Sequence, residues 1–139
     1  MRYRREREEI GNERDMNRTA EPNARSRHVL LLDVQDEPAA IAAYRHWHRP
    51  GGPPEAVTRA IRSSGVVALE IWHVGDRLVM LMETTPDFDP VATAARDAAD
   101  PAVQAWETLM DRFQRRLPFA PGDQKWVAAE QIYSLGEQP

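Results

Sequence analysis

The run Tyr44-Arg45-His46-Trp47-His48-Arg49-Pro50-Gly51 gathers one phenol, two imidazoles and an indole into five residues, then ends on a Pro-Gly pair that stops helix growth. If residues 38–48 are helical, Tyr44 and His48 lie four apart on one face, one turn above the other. Histidine titrates near neutral pH, so an imidazole beside a phenol at a helix end suits proton transfer on a small polar molecule. The same residues also fit a surface helix end whose aromatic packs on the core. His46 is two residues from Tyr44 and two from His48, so it points elsewhere and is expected at the surface. Trp47 is expected to pack.

Three further groups carry chemical side chains. Glu70 and Trp72 stand in an apolar run, with Glu83 further on. A carboxylate in such a run is either a solvent-facing strand residue or a buried acid with a raised pKa. Trp72 fits the wall of a sugar pocket, because pyranose C–H faces stack on indole rings, or a plain strand position. Trp106, with Gln104 and Glu107 nearby, sits at helical spacing that suits core or pocket. Lys125-Trp126 follows a Pro-Gly loop, where Trp126 could cover a sheet face. His46 and His48 would converge on a metal only in an extended segment, so no metal site is expected. There is no Gly-rich phosphate loop and no Ser-His-Asp signature.

The elements that must position these groups fit within one domain of 139 residues. A net charge of −4 argues against nucleic-acid binding as the main task. The absence of cysteine excludes disulfides, thiolate nucleophiles and Cys-based zinc sites. No apolar run approaches the ~20 residues of a membrane span. Residues 1–26 are charged and nearly free of apolar side chains, so they read as a disordered tail without the apolar core of a secretory signal. Met16 is an alternative start, and the cytoplasm is the expected compartment.

Residues 27–139 form the folded part. Arg27–Val34 reads as a first strand, and Pro38 opens a helix with the stripe Ile41, Tyr44, Trp47. After Pro50–Pro54, Glu55–Ser64 resumes as helix, with Gly65 as a C-cap. Val66–Val74 and Arg77–Thr84 are strands joined by Gly75-Asp76, a hairpin signal. Val91–Ala99 is helical. Asp100 then caps a second helix, Ala102–Leu117, with Val103, Trp106, Met110 and Phe113 on one face. Trp126–Leu135 reads as a last strand. The order predicts an α+β fold: a ferredoxin-like β-α-β-β-α-β antiparallel sheet with helices on one face. The other face is then open, which predicts a homodimer with sheets packed face to face or strands exchanged.

Several of these pieces occur together, in order, in one known family. Tyr44-x-x-x-His48-Arg49-Pro50-Gly51, Ser64-Gly65, Glu70-Ile71-Trp72, Arg77-Leu78 with Met80 and Met82-Glu83, Gln104-x-Trp106, Leu109-Met110 and Pro121-Gly122-x-x-Lys125-Trp126-Val127 resemble the rhamnose-mutarotase-type sugar mutarotases. The resemblance covers residues 27–135 and implies a dimeric α/β barrel type of enzyme that interconverts the α and β anomers of a 6-deoxy-hexose without metal or cofactor. The His-Arg-Pro-Gly turn and the Lys-Trp-Val element look more like the L-fucose branch than the L-rhamnose branch. L-rhamnose enzymes carry two adjacent tryptophans on the helix, where this chain has Trp106-Glu107, and a sugar-contacting tyrosine that falls here at Leu69. The family's tryptophan before the second helical piece is also absent, since the segment reads Gly52-Pro53-Pro54-Glu55.

The resemblance makes His48 the acid/base, Tyr44 the sugar-contacting tyrosine and Trp106 the pocket tryptophan. Trp72, Trp126 and Glu70 complete the expected substrate-binding set, with Glu70 as a candidate second base. L-rhamnose is the alternative substrate. The same topology also hosts haem-binding monooxygenase-like proteins and non-catalytic ligand-sensing dimers, in which the same histidine would ligate iron or only bind a ligand.

Overall fold

The computed structural model describes residues 25–139; the tail reading and Met16 lie outside the described residues. The element order is β1 (Ser26–Val34), α1 (Pro38–Trp47), α2 (Glu55–Ser63), β2 (Val66–Val74), β3 (Arg77–Thr84), α3 (Pro90–Ala99), α4 (Pro101–Asp111), β4 (Gln114–Arg115) and β5 (Val127–Ala128), followed by a 3₁₀ turn over Leu135–Glu137. The antiparallel sheet runs β2-β3-β1-β4, with β5 pairing β1. This is the expected α+β arrangement.

Local chemistry sets the helix starts. Pro stands in the first turn of α1, α3 and α4, where its missing N–H costs nothing. Asp89 and Asp100 each accept two backbone N–H bonds at the starts of α3 and α4. β2 and β3 pair along their length around the two-residue Gly75-Asp76 loop, with Gly75 at φ 59°.

Register assigns the two sheet faces. Leu30 and Leu32 stand opposite Met80 and Leu78, and Met80 and Met82 stand opposite Ile71 and Leu69. This set faces the helices, and the buried residues Val34, Tyr44, Leu78 and Met110 form its core. Trp47, Trp106, Phe113 and Trp126 pack around that core half-buried. Val29, Leu31, Val79 and Leu81 belong to the opposite face, with Glu70, Trp72 and Val74 beside them.

At one end of the sheet, buried Asp33 is clamped by Arg77 Nε at 2.8 Å and Arg115 Nη2 at 3.5 Å. Arg115 also bonds Asp76, which holds that carboxyl below its usual range. The network ties β1, the β2–β3 turn and β4 together.

Two expectations need correction here. The second long helix ends at Asp111, not Leu117, and Gln114–Arg115 instead pairs with Val34 and Asp33 of β1. The last strand is reduced to Val127–Ala128, opposite Leu31 and Leu30, with one more bond from the Ala129 N–H to the carbonyl oxygen of Val29. Beyond it the run Ala128-Ala129-Glu130-Gln131 lacks the β-branched residues that favour pairing. Among the described residues no helix is long and apolar enough to cross a membrane.

Candidate active site

The site begins at the end of α1. His48 is the C-cap, and its Nδ1 lies 2.7 Å from the carbonyl oxygen of Tyr44. A carbonyl only accepts, so Nδ1 carries the proton and the neutral ring keeps its lone pair on Nε2. The chain then doubles back sharply. Gly51 has φ 77°, and a Cβ on Gly52 would sit 2.4 Å from the carbonyl oxygen of Trp47, so only glycine fits there. The turn brings Pro53 to the wall of the same cavity as His48.

That cavity, of about 340 Å³, lies between the sheet and the helices. Tyr44, His48, Trp106, Glu107, Gln114 and Trp126 are among its polar and aromatic lining, and Val57, Leu69, Ile71, Met80 and Met82 are among its apolar wall. The Tyr44 and His48 rings stack at 4.2 Å between centroids. Trp106 meets His48 edge-on at 5.5 Å and Trp47 at 6.3 Å. Tyr44 is 4% exposed and belongs both to the core cluster and to the cavity wall.

Burial dominates the electrostatics. It pushes the Tyr44 phenol up to about 12, against the pull of the Gln114 side chain and with help from the Glu107 charge. The hydroxyl therefore stays protonated as a donor at any working pH. Burial also lowers His48 below its ordinary value, more than the bond to the Tyr44 carbonyl raises it. At neutral pH His48 is thus a neutral base, not an imidazolium. Asp97, also on the cavity wall, is raised by burial and by the Glu107 charge.

Four of the six expected site residues, Tyr44, His48, Trp106 and Trp126, line this cavity. Glu70 and Trp72 do not. The pleat puts them on the opposite sheet face, where Trp72 is 60% exposed and its Nε1 donates to Glu70 Oε2 at 3.2 Å. Their neighbours Leu69 and Ile71 take the cavity positions. His46 is exposed, as expected. Sequence reasoning missed Gln114, whose Oε1 is buried without a hydrogen-bond partner among the described residues. Such an orphan acceptor, which costs about 1–3 kcal/mol, suits a wall that meets ligand hydroxyls. It was hidden because residues 102–117 read as one helix.

Known proteins bear on this geometry. A protein of Xanthomonas campestris pv. campestris named L-fucose mutarotase is 49% identical over 107 residues, spanning 77% of this chain and 86% of that protein. The crystal structure of an L-rhamnose mutarotase from Formosa agariphila shares the fold with a TM-score of 0.53 at 13% identity, over 79% of this chain and 98% of that one. The profile of the L-rhamnose mutarotase family matches residues 27–135, which include every cavity residue named above. The chain therefore belongs to the L-rhamnose mutarotase family of sugar mutarotases.

Proposed function

We propose that the cavity binds a 6-deoxy-hexose, L-fucose in preference to L-rhamnose, and interconverts its α and β anomers. The observation that carries the reading is the orientation of His48: Nδ1–H is tied to the Tyr44 carbonyl, and the ring stands on the cavity wall between a phenol and an indole. Nε2 takes the proton of the anomeric hydroxyl as the bond between C1 and the ring oxygen breaks and the C1 carbonyl forms. The His48 imidazolium returns that proton to the ring oxygen by way of the Tyr44 hydroxyl, which takes up one proton as it gives one, so both side chains end as they began. Rotation about C1–C2 and reversal of both transfers close the ring on the other face. Trp106 and Trp126 stack on the sugar's C–H face, and the methionine and leucine wall receives the C6 methyl.

L-fucose is favoured by the name of the 49% identical relative, and by an aliphatic Leu69 and a carboxylic Glu107 at the two positions where L-rhamnose enzymes carry aromatics. Saturation-transfer NMR on both sugars tests this: L-fucose exchanges faster, whereas faster exchange of L-rhamnose refutes the choice of substrate. The reaction fits the cytoplasm, consistent with a cysteine-free chain.

The protonation states set the pH dependence. The working histidine is neutral, so kcat/KM falls as acid protonates it. With its pKa lowered, that limb has its midpoint below the ordinary 6.5. A pH–rate profile with an acid midpoint above that value would contradict the half-buried, neutral base.

Two copies of the chain, on this reading, associate through the face opposite the cavity. Val29, Leu31, Val79 and Leu81 lie there, and Trp72 and Val74 are 60% and 71% exposed beside them. An apolar sheet face of this kind calls for a partner. Sedimentation at micromolar concentration should give twice the 15.8 kDa chain mass; a monomer contradicts it.

A further inference from the structure

Glu107 lines the cavity beside Trp106 but takes no part in the proton transfers above. Its Oε2 accepts a hydrogen bond from Lys125 Nζ at 2.7 Å, and the same ammonium lies 2.5 Å from Asp111 Oδ1. Burial alone would lower the Lys125 pKa, yet the hydrogen bonds to Asp111 and Glu107 hold it above its ordinary range. Lys125 is thus a permanent cation that pins one oxygen of Glu107. Its side chain is 21% exposed, against 47% for that of Glu107, so Lys125 is the more buried partner and Glu107 the one that lines the cavity. The Glu107 charge is felt at both Tyr44 and Asp97, on different parts of the wall.

An ion-paired carboxylate is a strong hydrogen-bond acceptor. The sheet wall of the cavity, Leu69, Ile71, Met80 and Met82, offers no acceptor. Hexose epimers differ in which ring face bears each hydroxyl. A hydroxyl turned toward the apolar wall loses its water partners without replacement, whereas one turned toward Glu107 regains an acceptor.

We propose that Glu107 is a specificity-determining residue, whose second carboxylate oxygen accepts a hydrogen bond from one ring hydroxyl of the sugar, and that Lys125 is the positioning residue that aims it. The inference rests on the mutarotase reading and adds to it which side chain distinguishes one 6-deoxy-hexose from its epimers.

Deoxy-sugars test this directly. Catalysed exchange of L-fucose and of its 2-, 3- and 4-deoxy analogues is measured by NMR for the wild type, Glu107→Ala and Glu107→Gln, with circular dichroism confirming the fold. In the wild type one analogue loses roughly 10- to 100-fold in kcat/KM relative to L-fucose, the range for a hydrogen bond to a charged group. In Glu107→Ala that selective loss disappears, because the hydroxyl's partner is gone. Glu107→Gln keeps an amide oxygen and retains part of the discrimination. Lys125→Met reduces the same ratio through KM with kcat little changed, which a purely structural lysine would not do. Flat ratios across the analogues in an active wild type, or equal ratios in wild type and Glu107→Ala, overturn the role of Glu107 alone. A wild type inactive on every 6-deoxy-hexose overturns the mutarotase reading together with it.

Discussion

His48→Ala lowers catalysed anomer exchange by about 10²–10⁴-fold while the far-ultraviolet circular dichroism stays that of the folded chain. The size follows from the role. The imidazole is the group on the cavity wall that is half-buried, neutral at working pH and fixed in one tautomer by the Tyr44 carbonyl. The loss also has a structural competitor, because His48 is the C-cap of α1. His48→Asn separates the two. Its amide can still donate to the Tyr44 carbonyl and hold the helix end, but it cannot accept and return a proton. If capping were the whole role, His48→Asn would keep the wild-type rate; proton transfer at Nε2 requires it to lose as much as the alanine variant.

Leu78→Ala destabilises the fold by about 2–5 kcal/mol, read from chemical denaturation. Leu78 is 1% exposed, and packs with Val34, Tyr44 and Met110 directly behind the cavity. Truncation leaves a void that the paired strands on either side cannot close, since Leu78 is held in register against both Leu32 and His73. The loss is a large share of the 5–15 kcal/mol that stabilises a typical domain. Because Tyr44 belongs to the same cluster, exchange activity falls too, and a bound sugar raises the denaturation midpoint by less than in the wild type. A change below about 1 kcal/mol would mean that the core collapses around the gap, contrary to the packing described.

These outcomes also show where sequence reading succeeds and where it stops. β2, β3 and their hairpin were legible to the residue, because partial alternation in β2, the short apolar run of β3 and a Gly-Asp turn are local signals. The helix starts were legible for the same reason: proline in the first turn and an aspartate cap act within three residues. The alternation of β2 separated Glu70 and Trp72 from Leu69 and Ile71, but a strand does not record which of its faces meets the helices. That is set across the sheet by Leu78, Met80 and Met82, so the cavity received the aliphatic pair instead. The end of α4 was misread because Phe113 continues the apolar stripe, whereas the chain leaves the helix before it and Arg115 pairs with Asp33 and Asp76. Those partners lie far away in sequence. The clamp of Lys125 on Glu107 spans 18 residues and a loop, and no spacing rule reports it. Tyr44 and His48, by contrast, needed only one helical turn to meet, which is why their contact was legible from spacing alone.

On the proposed function, this cavity opens and recloses the ring of a 6-deoxy-hexose. Saturation-transfer NMR on L-fucose at anomeric equilibrium tests it most directly, with the rate of magnetisation transfer between the two anomeric protons compared with and without the protein. Exchange should rise in proportion to protein concentration and fall as His48 is protonated. An exchange rate equal to that of buffer alone, for L-fucose and L-rhamnose alike, would contradict it.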